Sequence, residues 1–222
     1  MTLSALKYIL FYWTLLLPVD AGLRHYNVSE AEWNNEFSKG KWDYLGKATV
    51  ERARNSVISG AFALGHAPAG RILDVGCGEG VLADFLNEDQ KKLYLGIDLS
   101  TSAIAIAKTK RSKLSFMQAD ATTFVPPVGL TYDVIVFNEM LYYTDHSALL
   151  QKYSGGEYLS KNGIIVISVW YSNKSDFLKN SIFSDAGKIL KSVDSIEVSG
   201  RQGNLGKSKN SLFFHIEGFR VR

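Results

Sequence analysis

Cysteine is almost absent from this chain of 222 residues. Cys77 stands alone, which excludes an intramolecular disulfide and is compatible with a reducing compartment. Histidine is scarce as well, and its four residues lie far from one another and from the cysteine. Zinc sites need cysteine or histidine ligands at short, regular spacings. The sequence therefore predicts a protein that needs no metal ion.

An excess of charge of one sign is also missing. The chain has 25 Lys and Arg residues against 22 Asp and Glu residues, which gives a formal net charge of +3. This balance does not indicate a nucleic-acid partner. The densest basic stretch, residues 108–111, is interrupted by Thr109 and is predicted to be a solvated helix end. With 46% apolar residues and no internal repeat, the chain resembles one globular α/β domain with modest additions.

A run of apolar residues long enough to cross a membrane is missing too. Residues 8–19 are apolar except for Thr14 and follow Lys7, but a span needs about 20 residues. The charged start resembles a secretory signal, although residues 19–21 make a poor cleavage site. Three interpretations stay open for this stretch: a packing helix, a membrane-surface helix over residues 4–19, and a secretory signal.

The residues before position 65 are predicted to be helical. Ser29 is placed to begin a helix, with Glu32 as its capping-box partner. Trp33 and Phe37 then lie on one face of that helix, at spacing i, i+4. A longer helix is predicted over residues 47–64.

From residue 70 onward, strands and helices alternate. Several of the strands are continuous apolar runs, which is typical of strands buried on both faces of a parallel sheet. Repeated β-α units predict right-handed crossovers and a doubly wound sheet, whose ligands bind beyond the carboxyl ends of the strands. The predicted strands cover residues 72–75, 92–97, 114–119, 132–137, 163–170, 193–198 and 212–221.

A glycine-rich turn over residues 74–80 follows the first predicted strand. Glycines allow a sharp turn and let a ligand approach the backbone closely, and the following helix start supplies free N–H groups. The dinucleotide fingerprint G-x-G-x-x-G would need its third glycine at position 81, which is Val81 here. The spacing is instead G-x-G-x-G.

Polar residues follow the next three strands. Asp98 ends the second strand, where a carboxylate accepts hydrogen bonds from both hydroxyls of a ribose. Asp120 and Ala121 follow the third strand, at a place suited to an adenine edge. Asn138 and Glu139 follow the fourth strand, where a substrate would meet the ligand. Together these positions predict an adenosine-containing ligand with a free ribose.

These motifs, in this order and spacing, resemble those of the class I S-adenosylmethionine-dependent methyltransferases. The resemblance implies a Rossmann-like, mostly parallel seven-stranded sheet whose last strand runs antiparallel, with S-adenosylmethionine as cofactor. It also implies a helical lid over residues 1–65 and a cofactor-binding domain over residues 66–222. Residues 138–143 resemble members of the family that modify sugars, including the nodulation N-methyltransferases. The motifs that carry the family resemblance are residues 72–80, 94–100, 116–121, 132–143 and 163–170.

The resemblance implies a cofactor role for eleven residues. The glycines line the methionine part, Asp74 supports its amino group, and an arginine of the lid, Arg52 or Arg54, reaches its carboxylate. Asp98 binds the ribose and Asp120 the adenine amino group, although Asp74 and Asp120 have structural capping as an alternative. Cys77 is interpreted as a small residue of the turn. The eleven are Arg54, Asp74, Gly76, Cys77, Gly78, Gly80, Asp98, Leu99, Asp120, Ala121 and Asn138.

For catalysis, His146 is the candidate general base, since a hydroxyl acceptor benefits from one. Asp145 either orients this histidine or caps the following helix. Glu139 and Tyr142 are further candidates at the reacting centre. Aromatic side chains either line the acceptor pocket or fill the core; they are Tyr142, Tyr143, Trp170 and Tyr171.

The function expected is methyl transfer from S-adenosylmethionine to a small acceptor, a hydroxyl or an amine of a sugar or glycoconjugate. A non-catalytic Rossmann-like partner subunit is the alternative, disfavoured by the intact glycine turn and by Asp98. A nicotinamide-dependent oxidoreductase is disfavoured by Val81. Because the cofactor is made in the cytosol, we expect a cytoplasmic protein that keeps residues 1–19, with or without contact to a membrane surface. The sequence leaves the oligomeric state open.

Overall fold

The computed structural model describes residues 28–171, 176–201 and 211–222. The apolar stretch over residues 4–19 lies outside the described residues, so its three interpretations stay predictions. Within the described ranges, no helix is both long and apolar enough to cross a membrane.

Two helices precede the sheet. Helix α1 covers Glu30–Ser38 and begins with the predicted capping box, in which the Ser29 hydroxyl accepts from the Glu32 N–H. Helix α2 covers Thr49–Val57 and continues as a π-helical segment over Ile58–Leu64. The single helix predicted over residues 47–64 is therefore two segments of different pitch.

The seven strands form one sheet in the order β3-β2-β1-β4-β5-β7-β6. Strand β7 is antiparallel to both of its neighbours, and the pairs among β1 to β5 are parallel. This topology confirms the predicted Rossmann-like fold class. The strands are β1 Ile72–Val75, β2 Tyr94–Asp98, β3 Ser115–Gln118, β4 Tyr132–Asn138, β5 Leu159–Tyr171, β6 Leu190–Arg201 and β7 Ser211–Val221.

Helices cover both faces of the sheet. Two of them are short 3-10 turns, at Val81–Phe85 after the glycine turn and at Leu141–Tyr143 after β4. A short helix over Glu88–Lys92, α3, was not predicted, because five residues are too few to show a helical period. The α-helices of this part of the chain are α3 Glu88–Lys92, α4 Thr101–Lys110, α5 His146–Tyr153 and α6 Asp176–Ile189.

Alternate residues of the central strands bury on opposite faces of the sheet. Val134 and Val136 pack with the π-helical segment on one side, whereas Ile135 and Phe137 pack with α5 on the other. All four side chains are fully buried, and burying each contributes roughly 1.5–3 kcal/mol. The continuous apolar run of β4 is the result of this two-sided burial.

The register brings the carboxyl ends of three strands together. Val75 of β1 pairs with Ile97 of β2 on one side and with Phe137 of β4 on the other. The residues that follow these strands, including Asp98 and Asn138, therefore lie at one edge of the sheet. That edge is where a doubly wound sheet binds its ligand.

Candidate functional site

The glycine turn after β1 has a left-handed backbone. Gly76, Gly78 and Gly80 have φ angles of 73°, 53° and 79°, a region that residues with a Cβ rarely adopt. The N–H groups of Gly76 and Cys77 donate to the carbonyl of Ile97 at 2.8 and 2.9 Å, which anchors the turn to β2.

Gly80 and Gly78 face different neighbours. A Cβ on Gly80 would lie 2.5 Å from the Phe116 ring, so this position is filled by packing against β3. A Cβ on Gly78 would lie 3.4 Å from the ring of Phe37, a residue of α1. Helix α1 therefore covers the turn at Gly78. At position 80, a glycine is required because any side chain would collide with the ring of Phe116.

Residues at the C-terminus of α4 stabilise the same glycine turn. Arg111 donates to the carbonyl of Glu79 at 2.7 Å and pairs with Asp84 at 2.5 Å. Lys110 pairs with the buried Glu79 carboxylate at 2.5 Å. Residues 108–111 were predicted to be a solvated helix end, and for Arg111 this was wrong, since its side chain is only 12% exposed. Arg111 was missed because its partners lie 27 and 32 residues away in sequence.

Asp74 lies at the bottom of the turn. Its carboxyl group is buried and accepts a hydrogen bond of 2.8 Å from the Tyr94 hydroxyl. Burial raises the pKa of Asp74 to about 7, although the bond from Tyr94 lowers it. Tyr94 was not among the predicted site residues; as the first residue of β2, it carries no sequence signal of a polar role.

Cys77 packs beneath the turn. A Cβ on Gly96 of β2 would lie 2.8 Å from the Cys77 sulfur, so the thiol fills space above that glycine. Burial raises the pKa of the thiol well above its usual value. A protonated, packed thiol is a poor nucleophile, which agrees with its interpretation as a small residue of the turn.

Asp98 connects the turn to the start of α4. One carboxylate oxygen accepts from the Gly78 N–H and the other from the Ser100 N–H, both at 2.8 Å. Burial raises the pKa of Asp98, and the two backbone bonds lower it. Each oxygen keeps a lone pair after these bonds, so the carboxylate is oriented by the backbone and able to accept from a ribose.

The residues predicted at the adenine ring follow β2 and β3. Asp120 is exposed, and its Oδ1 accepts from the N–H and the hydroxyl of Thr122 at 2.8 and 2.7 Å, so it stabilises its own turn. The carbonyl of Ala121 accepts from the Tyr153 hydroxyl at 2.9 Å. Leu99 is partly buried beside Asp98. The adenine roles of Leu99, Asp120 and Ala121 stay predictions.

Arg54 joins α2 to the end of β4. Its side chain is 3% exposed, and its guanidinium donates to the Asn138 side-chain oxygen and, at 2.5 Å, to the Glu51 carboxylate. The Asn138 amide donates in turn to Asn55 of α2 at 3.1 Å. Asn138 is thus held between two residues of α2.

Glu139 is the one residue other than glycine with a positive φ, 62°, within the described parts of the chain. Its Oε1 accepts from the Ser168 hydroxyl at 2.9 Å, and its Oε2 accepts from the Trp170 N–H at 3.0 Å and from the Tyr142 hydroxyl. Arg54 lies 3.4 Å from Oε1. Burial raises the pKa of Glu139, an effect that Arg54 opposes. The positive φ of Glu139 is a strained backbone conformation. A strained backbone persists only where the surrounding structure fixes it, and it is common at functional sites.

Ser168 was missed by the sequence analysis, although a signal was present. It is the one polar residue within the apolar run over residues 164–169. It is buried, and its hydroxyl orients Glu139.

His146 is the first residue of α5 and is 5% exposed. Its Nε2 lies 3.1 Å from the Asp185 carboxylate and 3.5 Å from the Ser181 hydroxyl, both on α6. Asp145 accepts from the Ala148 N–H at 3.0 Å, so it caps the helix. The structure thus places His146 against α6, and its role as general base stays a prediction.

Aromatic rings connect α1 to the segment after β4. Trp33 of α1 meets Tyr143 edge to face, with ring centroids 5.0 Å apart. Tyr143 meets Tyr142 in the same way at 4.8 Å, and Trp42 lies 5.9 Å from Trp33. This row of rings ends at Tyr142, whose hydroxyl donates to Glu139.

Among the buried polar atoms that have no hydrogen-bond partner within the described ranges are Oδ1 of Asp74 and Nε of Arg54. One is an acceptor and the other a donor, on side chains close enough for Arg54 to lower the pKa of Asp74. An α-amino acid presents an ammonium group and a carboxylate, which are complementary to this pair. The residues present therefore fit the methionine end of S-adenosylmethionine. In the described ranges, no group of three or more metal-ligating side chains is arranged around a common point.

Residues 49–199 match a protein family described as a methyltransferase domain. The chain is 32% identical, over 127 residues, to a protein of Geobacillus sp. (strain WCH70) named as a methyltransferase. That match covers 55% of this chain and 49% of the relative, so the chain spans about half the length of that protein.

Solved structures of methyltransferases have a similar fold. The N-methyltransferase NodS from Bradyrhizobium japonicum WM9, in complex with S-adenosyl-L-homocysteine, has a TM-score of 0.67 and 17% identity, covering 86% of this chain and 97% of that one. A TehB-like S-adenosylmethionine-dependent methyltransferase from Corynebacterium glutamicum has a TM-score of 0.54 and 20% identity, covering 86% and 99%. At these identities the likeness concerns the fold alone.

Proposed function

The chain belongs to the family of S-adenosylmethionine-dependent methyltransferases, and on that premise we propose that it methylates a sugar or glycoconjugate, at an amine in preference to a hydroxyl. The observation that carries the proposal is the carboxylate of Glu139, a residue that directly follows β4, has a positive φ and is only 18% exposed in its side chain. S-adenosylmethionine supplies a methyl group on a positively charged sulfur. The protein has to position the acceptor and favour its charge.

The buried charge around Arg54 is unbalanced. Two carboxylates, Glu51 at 2.5 Å and Glu139 at 3.4 Å, share this one guanidinium. When both are ionised, the cluster carries one negative charge in excess. Buried charge is weakly screened, so the cluster stabilises the positive charge that develops on an amine nitrogen as its lone pair takes the methyl group from the sulfonium. This supports an amine acceptor.

Glu139 is well placed as a positioning residue. Its two oxygens are engaged by Ser168, Trp170, Tyr142 and Arg54. An amine needs only to arrive deprotonated, whereas a hydroxyl benefits from a general base. A carboxylate held by four neighbours is suited to electrostatic stabilisation, which agrees with an amine acceptor.

The row of rings supports an acceptor with a ring structure. Tyr142, Tyr143 and Trp33 extend from Glu139 to α1. Large aromatic faces supply apolar contact area together with hydrogen-bonding edges, which suits the faces and hydroxyls of a sugar. We assign the acceptor side of the site to these rings and the cofactor side to Asp74, Gly78 and Asp98.

A matched pair of acceptors tests the proposal. The full chain is incubated with methyl-labelled S-adenosylmethionine and either an amino-sugar oligosaccharide or the same oligosaccharide with its amines acetylated. We expect a mass gain of one methyl on the free amine and none on the acetylated form. Equal methylation of both would place the reaction on a hydroxyl. If neither is methylated while S-adenosylhomocysteine binds, the sugar acceptor is wrong.

We also place the activity in the cytosol, because the cofactor is synthesised there. Fractionation of cells that express the full chain, or a chain that begins at residue 21, tests this placement. We expect the unprocessed full chain in the cytosolic or membrane-surface fraction. A processed form outside the cytosol would contradict it.

A further inference from the structure

Asn34 of α1 caps a helix to which it does not belong. Its Oδ1 accepts from the Ser100 hydroxyl at 2.7 Å, from the Ser102 N–H at 3.0 Å and from the Thr101 hydroxyl at 3.2 Å. All three donors lie at the start of α4, where backbone N–H groups lack partners within the helix. One oxygen of α1 therefore holds the beginning of α4.

The same contact continues into the cofactor side of the site. Ser100 is fully buried, and its N–H donates to Asp98 at 2.8 Å. The other oxygen of Asp98 accepts from the Gly78 N–H, also at 2.8 Å. Asn34, Ser100, Asp98 and Gly78 thus form one hydrogen-bonded series that runs from α1 to the glycine turn.

Helix α1 also touches both sides of the cleft. Phe37 packs against the turn at Gly78, and Trp33 meets Tyr143 after β4. The helix therefore bridges the loops after β1, β2 and β4, the loops that surround the ligand in a doubly wound sheet. A ligand held between these loops would therefore lie next to α1.

We propose that Asn34 is a positioning residue that latches α1 over the cofactor, so that the strength of this latch sets the rate at which the cofactor product dissociates. The proposal rests on the ribose role of Asp98 and is independent of the acceptor. Lids of this kind control ligand release in many enzymes. Because all three contacts with α4 use Asn34 as acceptor, a carboxylate at this position preserves them, and the N-terminus of a helix favours negative charge. The substitution loses the donation from the Asn34 amide to Glu30 within α1, at 3.4 Å, a contact that does not reach α4.

The test is the dissociation rate of S-adenosylhomocysteine from the full chain. The complex with radiolabelled S-adenosylhomocysteine is mixed with an excess of unlabelled ligand, and the bound label is followed with time. The association rate is measured separately by rapid mixing and tryptophan fluorescence, for which Trp33 in α1 is a built-in reporter. Asn34→Leu has a similar shape but accepts no hydrogen bond, Asn34→Asp keeps the acceptor, and Asn35→Ala changes an exposed neighbour on the same helix. Thr101→Val removes one of the three donors.

We expect Asn34→Leu to dissociate about tenfold faster or more, given what loss of several hydrogen bonds commonly does, with an association rate within about threefold of wild type. Asn34→Asp and Asn35→Ala should dissociate within about twofold of wild type, and Thr101→Val about threefold faster. An unchanged rate in Asn34→Leu, or equal acceleration in Asn34→Asp, would overturn the latch. If Asn34→Leu does not fold, the rates of Asn34→Asp and Thr101→Val decide the question. Since no acceptor is present, the outcome does not depend on the proposed sugar amine.

Discussion

The hydroxyl of Tyr94 donates a hydrogen bond of 2.8 Å to Oδ2 of Asp74, across two adjacent strands and in the buried part of the site. It leaves Oδ1 of Asp74 as an acceptor without a partner within the described ranges. Burial raises the pKa of this carboxyl from 3.8 to about 7. A group that titrates near neutral pH at the methionine end of the site gives cofactor binding a pH dependence.

Affinity for S-adenosylhomocysteine should fall as the pH drops below about 7. In the role that we propose for Asp74, its ionised form binds the ligand ammonium. Its pKa is about 7, so protonation competes with binding and lowers the affinity by up to about tenfold per pH unit. Calorimetric titrations between pH 5.5 and pH 8 measure this slope. Asp74→Asn, as the control, should bind weakly at every pH. A wild-type affinity that does not change with pH would contradict the assignment of Asp74.

Tyr94→Phe should move the same transition to higher pH. The Tyr94 hydroxyl stabilises the ionised form of Asp74, and a hydrogen bond to a charged group contributes about 1.5–3 kcal/mol, or roughly one pH unit or more. The ring keeps its packing against Phe116. Tyr158→Phe removes a buried hydroxyl that bonds the carbonyl of Phe124 instead, and it should leave the transition in place. Equal profiles for wild type and Tyr94→Phe would exclude Tyr94 as the residue that tunes Asp74.

Asp74 should also make the ligand-free protein less stable at high pH. Its pKa in the folded chain, about 7, lies above the usual 3.8, so the folded state binds the proton more tightly. The stability due to this group is fully present below pH 4 and is lost as the pH rises through 7. Asp74→Asn should therefore change the free energy of unfolding more favourably at pH 8 than at pH 4.5, and the difference between the two changes should be about 1–4 kcal/mol. Urea unfolding at both pH values measures this difference, and a gain of the same size at both would contradict it.

Glu139→Gln should impair methyl transfer without impairing cofactor binding. The substitution preserves the size of the side chain and removes the charge in excess over Arg54, so it tests electrostatic stabilisation of the acceptor. We expect kcat to fall about 100-fold or more, with affinity for S-adenosylhomocysteine within about threefold of wild type. Glu157→Gln, at an exposed position, is the matched control. If the turnover of Glu139→Gln equals that of the control, Glu139 has no role at the reacting centre.

The sequence was sufficient for the fold and for the edge of the sheet at which the candidate site lies. Continuous apolar runs separated by helices predict a parallel sheet, and parallel strands bring their carboxyl ends to one edge. That argument places Gly76, Asp98 and Asn138 together before any coordinates are known. The strand bounds differ by a few residues, most of all in two strands: β5 extends from Leu159 to Tyr171 instead of residues 163–170, and β6 covers Leu190–Arg201 instead of residues 193–198.

Helical spacing distinguishes the two arginines that were candidates for binding the cofactor carboxylate, Arg52 and Arg54. Glu51, Arg54 and Asn55 are buried along one face of α2, at spacings of three and four residues. Arg52 lies on another face, where it stacks over Phe85 with its guanidinium 5.2 Å from the ring. The sequence analysis left both arginines open, although the phase of the helix distinguishes them.

His146 shows what the sequence was unable to decide. A histidine at the start of a helix that follows β4 is able to face the cleft or the neighbouring helix, and the period of α5 is the same in both cases. The answer depends on how α5 packs against α6, where Asp185 pairs with this ring at 3.1 Å. Packing between helices far apart in sequence leaves no local pattern.

The central proposal is the ribose contact of Asp98, and a double-mutant cycle between protein and ligand tests it most directly. Asp98 also bonds the backbone of Gly78 and Ser100, so loss of affinity in Asp98→Ala alone does not isolate the ligand contact. Calorimetry with S-adenosylhomocysteine and its 2′,3′-dideoxy analogue, on wild type and on Asp98→Ala, separates the two effects. We predict that removing the hydroxyls weakens binding to wild type by about 10- to 100-fold and weakens binding to Asp98→Ala by less than about threefold. The same loss with both proteins would contradict the account.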